Sequence, residues 1–159
     1  EPRFLADVHL GRLVRYLRLL GLDCYYEEPW DDAILAETCA RENRIMLTRD
    51  RGLLKRRCID HGFFLRSDQP LEQAQEVLGR LDLARFIAPF SRCLACSRRL
   101  QAVRKEDIAD RIPPGTRRNY ERFYQCEGCG KVYWRGAHYG KLQEQLDELM
   151  KDLPAAEDT

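Results

Sequence analysis

Short apolar runs and helical apolar stripes alternate along the first ninety residues. The runs stand at 3–6 (Arg-Phe-Leu-Ala), 23–27 (Asp-Cys-Tyr-Tyr-Glu), 44–48 (Arg-Ile-Met-Leu-Thr) and 62–66 (Gly-Phe-Phe-Leu-Arg). Each is too short for a stable helix and is bounded by acids or turn residues, so each predicts a strand. Between them, Leu10, Leu13, Val14, Leu17 and Leu20 recur at i, i+3, i+4, i+7 and i+10, one face of a helix that Gly21 stops. Arg12, Arg15 and Arg18 lie on another face of it. Asp31 or Asp32 caps a second helix carrying Ile34, Leu35, Thr38 and Cys39 to about Glu42. Leu53-Leu54 starts a short third, and Pro70 opens a fourth that runs to about Leu81. Strand and helix patterns thus alternate four times, the form of an α/β domain with a mainly parallel sheet and right-handed crossovers.

After Pro89 the rhythm breaks. Two CxxC pairs, Cys93/Cys96 and Cys126/Cys129, flank a connection containing Pro113-Pro114-Gly115. Strands are predicted at 120–125 and 131–135, and a helix from about His138 to Met150. The expected division is an α/β domain over 1–90, a small metal-stapled unit with its closing helix over 91–150, and a flexible tail over 151–159.

Composition fits a globular protein, with 44% hydrophobic and 33% charged residues. No apolar run reaches the 18 or so residues of a membrane span, and the N-terminus lacks a signal-peptide layout. The absence of an initiator Met reads as a segment of a longer chain. The net charge of +1 conceals an uneven distribution: −1 over residues 1–90, +6 over 91–136 and −4 over 137–159. The cysteine-bearing part is therefore the basic part, as a phosphate-backbone contact requires, although a solvated charged face has the same composition.

The seven cysteines are odd in number, and no secretory signal accompanies them. Paired CxxC motifs then read as a metal site in a reducing, cytoplasmic compartment rather than as disulfides. Each CxxC turn aims two sulfurs at one half of a tetrahedron, so Cys93, Cys96, Cys126 and Cys129 fill a Zn²⁺ shell with no open position, making the metal structural. Gly128 and Gly130 give the second knuckle its backbone freedom. A redox dithiol and an iron–sulfur cluster are the competing readings of four thiols. Cys24, Cys39 and Cys58 lie in apolar segments and read as small core residues.

Asp7 and Asp50 each end an apolar run, and Asp31-Asp32 begin the helix between them. Ligands of open α/β sheets bind at the carboxyl ends of the strands. If the strands are parallel neighbours, these carboxylates gather at one edge, where their mutual repulsion is relieved by a hard divalent cation such as Mg²⁺ or Mn²⁺. That is the chemistry of a metal-dependent nuclease. Taken singly, Asp31 or Asp32 reads equally as an N-cap, and Asp50-Arg51-Gly52 as a turn.

These residues carry a resemblance. Phe4-Leu5-Ala6-Asp7, Leu10-Gly11-Arg12-Leu13, Leu17-Arg18-Leu19-Leu20-Gly21, Asp31-Asp32 and Arg44-Ile45-Met46-Leu47-Thr48-Arg49-Asp50-Arg51 resemble the Mut-seven C-terminal RNase domain family. So do the second CxxC block, Cys126-Glu-Gly-Cys129-Gly130-Lys131-Val132-Tyr133-Trp134, and Gly136-Ala137-His138. The likeness spans roughly residues 3–150. It implies a PIN-like nuclease domain with a C-terminal zinc ribbon, and a catalytic Mg²⁺ or Mn²⁺ on Asp7, Asp32 and Asp50, the register favouring Asp32 over Asp31. It also implies RNase activity and, as in some relatives, a ubiquitin-like domain upstream. PIN nucleases usually present a fourth acid further along; here Asp60 and Asp68 are available, and neither sits in a matching motif.

The expected substrate is single-stranded RNA. Arg12 and Arg15 line its path beside Asp7 or form the wet face of their helix, and Arg49 contacts it or makes a surface ion pair. On the ribbon, Arg117, Arg118, Arg122 and Arg135 interleave with Tyr120, Phe123, Tyr124, Tyr133 and Trp134, cations for phosphates and rings for bases. Of these rings, Tyr124 and Trp134 are assigned to the ribbon's own core, and His138 to a cap or a position behind the metal ligands. The function expected is a divalent-metal-dependent ribonuclease whose basic ribbon holds the RNA. The rival is a catalytically weak or inactive RNA- or protein-binding module on the same scaffold.

Overall fold

The computed structural model describes residues 1–27, 31–56 and 61–151. Cys58, Asp60 and residues 152–159 of the expected tail lie outside them. The elements run β1 (Arg3–Ala6), α1 (Gly11–Leu19), β2 (Asp23–Tyr25), α2 (Asp32–Arg41), β3 (Ile45–Thr48), α3 (Arg51–Leu54), β4 (Gly62–Phe64) and α4 (Pro70–Arg80). They continue with β5 (Leu100–Val103), α5 (Pro114–Asn119), β6 (Phe123–Cys126), β7 (Val132–Tyr133) and α6 (Tyr139–Met150). The protein is an α/β fold, as its patterning predicts, though β2 and β4 end two residues earlier than their apolar runs.

The first four strands form one wholly parallel sheet in the order β2-β1-β3-β4. Side chains alternate across it. Phe4, Ala6, Cys24, Leu47, Phe63 and Leu65 face one layer, with Leu13, Val14 and Leu17 of α1 and Ala74, Val77 and Leu78 of α4. Leu5 and Met46 face the other, with Leu35 and Cys39 of α2 and Leu53 of α3. Fully burying such side chains stabilises the fold by about 1.5–3 kcal/mol each. The helix layers follow from handedness. The chain steps from β1 outward to β2, then back across β1 to β3 and on to β4, so a constant crossover hand puts α1 on one face and α2 and α3 on the other. The strand order therefore reverses between β1 and β3, the point at which open α/β sheets bind ligands.

The basic segment forms a second, antiparallel sheet, β5-β6-β7, with its own core of Ile108, Ile112 and Phe123. Tyr120 and Trp134 pack against that core and Tyr124 does not, which corrects the assignment of Tyr124. The reason is register: β6 begins at Phe123, so Phe123 takes the inner face and Tyr124 pairs across to Tyr133 on the other. Leu146 and Leu149 of α6 join the cluster of α1 and α4. Gly21 lets the end of α1 approach the segment that leads to the second sheet. Its φ of +87° suits glycine, and a Cβ there would stand 2.2 Å from the Ala88 carbonyl oxygen.

Candidate active site and metal centre

The carboxyl edge of the parallel sheet is built from strand ends. Extending the pairing of Ala6 with Leu47 by one residue sets Asp7 opposite Thr48, and the Asp7 amide donates to the Leu47 carbonyl at 3.3 Å. Thr48 is fully buried. Its hydroxyl donates to Asp7 Oδ2 and accepts from the Asp50 amide at 2.9 Å. One side chain thus ties the ends of both central strands together. The other Asp7 oxygen, Oδ1, accepts from the His9 amide at 3.0 Å. Asp50 caps α3, its Oδ1 accepting from Gly52 at 2.8 Å and Leu53 at 3.3 Å. Among the described residues nothing bonds Asp50 Oδ2.

Asp31 caps α2, accepting from the amides of Ala33 and Ile34, and Asp32 is the first helical residue. Because α2 follows a parallel strand, its N-terminus opens on the same edge. Asp32 is exposed, and no hydrogen bond holds it among the described residues. The carboxylates of Asp7, Asp32 and Asp50 do not close into a group whose oxygens all lie within 4.8 Å; among the described residues only the cysteine quartet does.

One observation bears on whether a hard cation fits. Asp7 is only 9% exposed, and no cationic side chain pairs with it among the described residues. A buried carboxylate without a cationic side-chain partner leaves that place to a metal ion. Its donor set, carboxylate and hydroxyl oxygens, suits Mg²⁺ or Mn²⁺.

The sulfur atoms of Cys93, Cys96, Cys126 and Cys129 all lie within 4.8 Å of one another. Cys93 and Cys129 are 3.7 Å apart and Cys96 and Cys126 3.3 Å, close to the edge of a tetrahedron with zinc–sulfur bonds of about 2.3 Å. The quartet can hold a structural zinc ion. Cys126 Sγ accepts from the Gly128 and Cys129 amides at 3.3 and 3.4 Å. The Tyr133 hydroxyl lies 3.0 Å from Cys93 Sγ and accepts from the Leu94 amide at 3.1 Å; toward a thiolate, which carries no proton, the hydroxyl is the donor. Burial raises the Cys93 thiol, but the Tyr133 hydroxyl and the Ala95 and Cys96 amides outweigh it and bring it down to about 7.

Cys24 and Cys39 are buried, and burial pushes the Cys24 thiol up to about 12, so it stays protonated and unreactive. Cys58 lies outside the described residues.

The basic residues separate into two kinds. Arg12, Arg15, Arg49, Arg117, Arg118, Arg122 and Arg135 are exposed. Arg49 donates to the Arg66 carbonyl at 3.1 Å, and Arg135 stacks on Tyr139 at 5.0 Å. Arg18 is not on a wet face. It is 4% exposed and donates to the carbonyls of Cys24 (3.2 and 3.0 Å) and Leu94 (3.0 Å). Helical spacing misses this because the acceptor at Leu94 comes from the distant ribbon. His138 begins α6 without a side-chain cap bond, so the capping role expected of it is absent.

A family model for the Mut7-C RNAse domain matches residues 2–146. The chain belongs to the Mut7-C RNAse domain family. A 33-residue stretch is 39% identical to the exonuclease mut-7 homolog of Homo sapiens, covering 21% of this chain and 4% of that protein. No solved structure matches. Membership of a Mut7-C RNAse domain family, with this partial likeness, supports a nuclease-like function. Among the described residues, no helix of this Mut7-C domain is long and apolar enough to cross a membrane.

Sequence reasoning missed Thr48 as part of the site. A signal was available: a polar side chain closing an otherwise apolar run two residues before the Asp50-Arg51-Gly52 turn.

Proposed function

We propose that this Mut7-C domain is a divalent-metal-dependent ribonuclease that hydrolyses phosphodiester bonds of single-stranded RNA at the carboxyl edge of its parallel sheet. The observation that carries the reading is the Thr48 bridge, which fixes the Asp7 carboxylate and the Asp50 backbone side by side where strand order reverses. Asp7, Asp50 and Asp32 are the residues that would hold Mg²⁺ or Mn²⁺, and such a cation supplies charge neutralisation at the phosphate and an acidified water. Thr48 holds Asp7 in its rotamer by occupying Oδ2. Arg12, Arg15 and Arg49, from the sheet side, and Arg117, Arg118, Arg122 and Arg135, from the ribbon of residues 91–150, attract the RNA backbone. A reducing cytoplasm, which keeps the four thiols able to hold zinc, suits the reading.

One observation favours the binding-only alternative: Asp31 and Asp50 already serve as helix caps, and the acid triad does not close to ligating distance. That module would bind RNA with a steep salt dependence and no turnover.

Cleavage of labelled single-stranded RNA with Mg²⁺ or Mn²⁺ separates the two. The nuclease reading expects turnover in the wild type and a loss of about 10²–10³-fold in Asp7→Asn and Asp50→Asn, as removal of a charge partner worth a few kcal/mol implies. Equal cleavage by all three proteins, or none by any, excludes it.

A further inference from the structure

Beside Asp7 the surface opens into a cleft of about 280 Å³ that the proposed chemistry leaves unused. It lies between the start of α1 and the start of α4, and it is lined by His9, Leu10, Arg12, Leu13, Asp68 and Gln73, among others. His9 ties it to the candidate site, since its amide holds Asp7 Oδ1.

Three features of the cleft point to a ligand. Gln73 is only 4% exposed, yet its amide is half used. Its Nε2 donates to the Ser67 carbonyl at 2.8 Å. That carbonyl can only accept, so the amide orientation is fixed and Oε1 is left as an acceptor. No protein donor reaches Oε1 among the described residues, and no buried polar atom there lacks both partner and solvent, so Oε1 keeps access to solvent on a side chain that lines the cleft. Asp68 adds a carboxylate without an ion pair among the described residues; Gln69 Nε2 donates to its Oδ1 at 3.1 Å, and Oδ2 is unengaged. Arg12 is exposed and has neither hydrogen bond nor ion pair among the described residues.

We propose that this cleft is a base-reading subsite for the nucleotide next to the scissile phosphate, and that it prefers guanine. The inference rests on the ribonuclease reading. Arg12 meets a neighbouring phosphate, and Gln73 Oε1 and Asp68 Oδ2 are two acceptors awaiting donors. Guanine alone among the standard bases offers two adjacent donors, N1–H and the N2 amino group, on its Watson–Crick edge. Adenine and cytosine offer one amino group beside an acceptor, and uracil one N–H between two acceptors. Asp68 therefore serves as a base contact.

The test is fluorescence anisotropy with the zinc-loaded chain and no added divalent cation. The probes are labelled oligouridine RNAs carrying one central guanosine, inosine or adenosine. Inosine lacks only the N2 amino group. Guanosine is expected to bind about tenfold tighter than inosine or adenosine, the usual effect of a hydrogen bond to a charged group. Asp68→Asn, at an exposed position, is expected to melt like the wild type and to reduce guanosine binding to the inosine level. Equal binding of all three RNAs, or an unchanged guanosine preference in Asp68→Asn, overturns the proposal. Failure of the nuclease reading looks different: no cleavage with any metal while the guanosine preference in binding persists.

Discussion

Thr48 and Tyr133 do similar work at the two candidate sites: each is a hydroxyl that orients a neighbouring side chain. Thr48 has no solvent to fall back on, so a valine there leaves Asp7 Oδ2 and the Asp50 amide short of a partner at almost constant volume. Thr48→Val is expected to cost about 1–3 kcal/mol of stability in a denaturant melt. If the ribonuclease reading holds, it also lowers kcat/KM by more than that loss of folded protein explains. Tyr133, fixed by the Leu94 amide, stands 3.0 Å from Cys93 Sγ and is the donor to it once that sulfur is a thiolate. Tyr133→Phe keeps the ring and removes the proton, and is expected to weaken zinc binding about 10–100-fold in competition with a chromophoric chelator. An unchanged zinc affinity would mean that the hydroxyl serves packing alone.

The elements show which parts of the chain can be read from pattern. Strands β1 and β3, with the helices between them, were legible because burial on both faces leaves continuous apolar runs, and both acids closing those runs sit where a parallel sheet requires. Strand β5 was not legible. Leu100–Val103 is half-exposed or exposed throughout, so no alternation marks it, and its pairing with β6 defines it. The short helix α5 was hidden for the same reason, its six residues burying nothing. Helix α2 allows a clean division of labour to be tested. Asp31 accepts two amide bonds and Asp32 none, so Asp31→Ala is expected to cost about 1 kcal/mol and Asp32→Ala much less. Under the ribonuclease reading the order reverses for turnover: Asp32→Asn loses activity while Asp31→Asn, still a capping residue, retains it. Thermal melts and cleavage assays on the same four proteins check both halves.

At the scale of the molecule, the first zinc knuckle is stitched into the parallel sheet. Arg18 of α1 reaches the Leu94 carbonyl, and the Cys24 amide of β2 donates to Ser97 Oγ at 2.9 Å. Arg92, 7% exposed, bonds the Gly21 and Ser97 carbonyls, each at 2.9 Å, and pairs with Glu1. Loss of zinc therefore reaches beyond the ribbon. Chelation is expected to lower the melting temperature by on the order of 10 °C and to speed hydrogen exchange in β2 and the end of α1 as well as in β5–β7. Faster exchange confined to β5–β7 would show that the stitches do not transmit.

The central claim, that the carboxyl edge around Asp7 gathers a hard cation, is tested most directly by Mn²⁺ titration of the zinc-loaded chain, followed by electron paramagnetic resonance. The wild type is expected to bind Mn²⁺ saturably, and Asp7→Asn, with its zinc content unchanged, to lose that binding. Identical Mn²⁺ binding curves for the two proteins would contradict it.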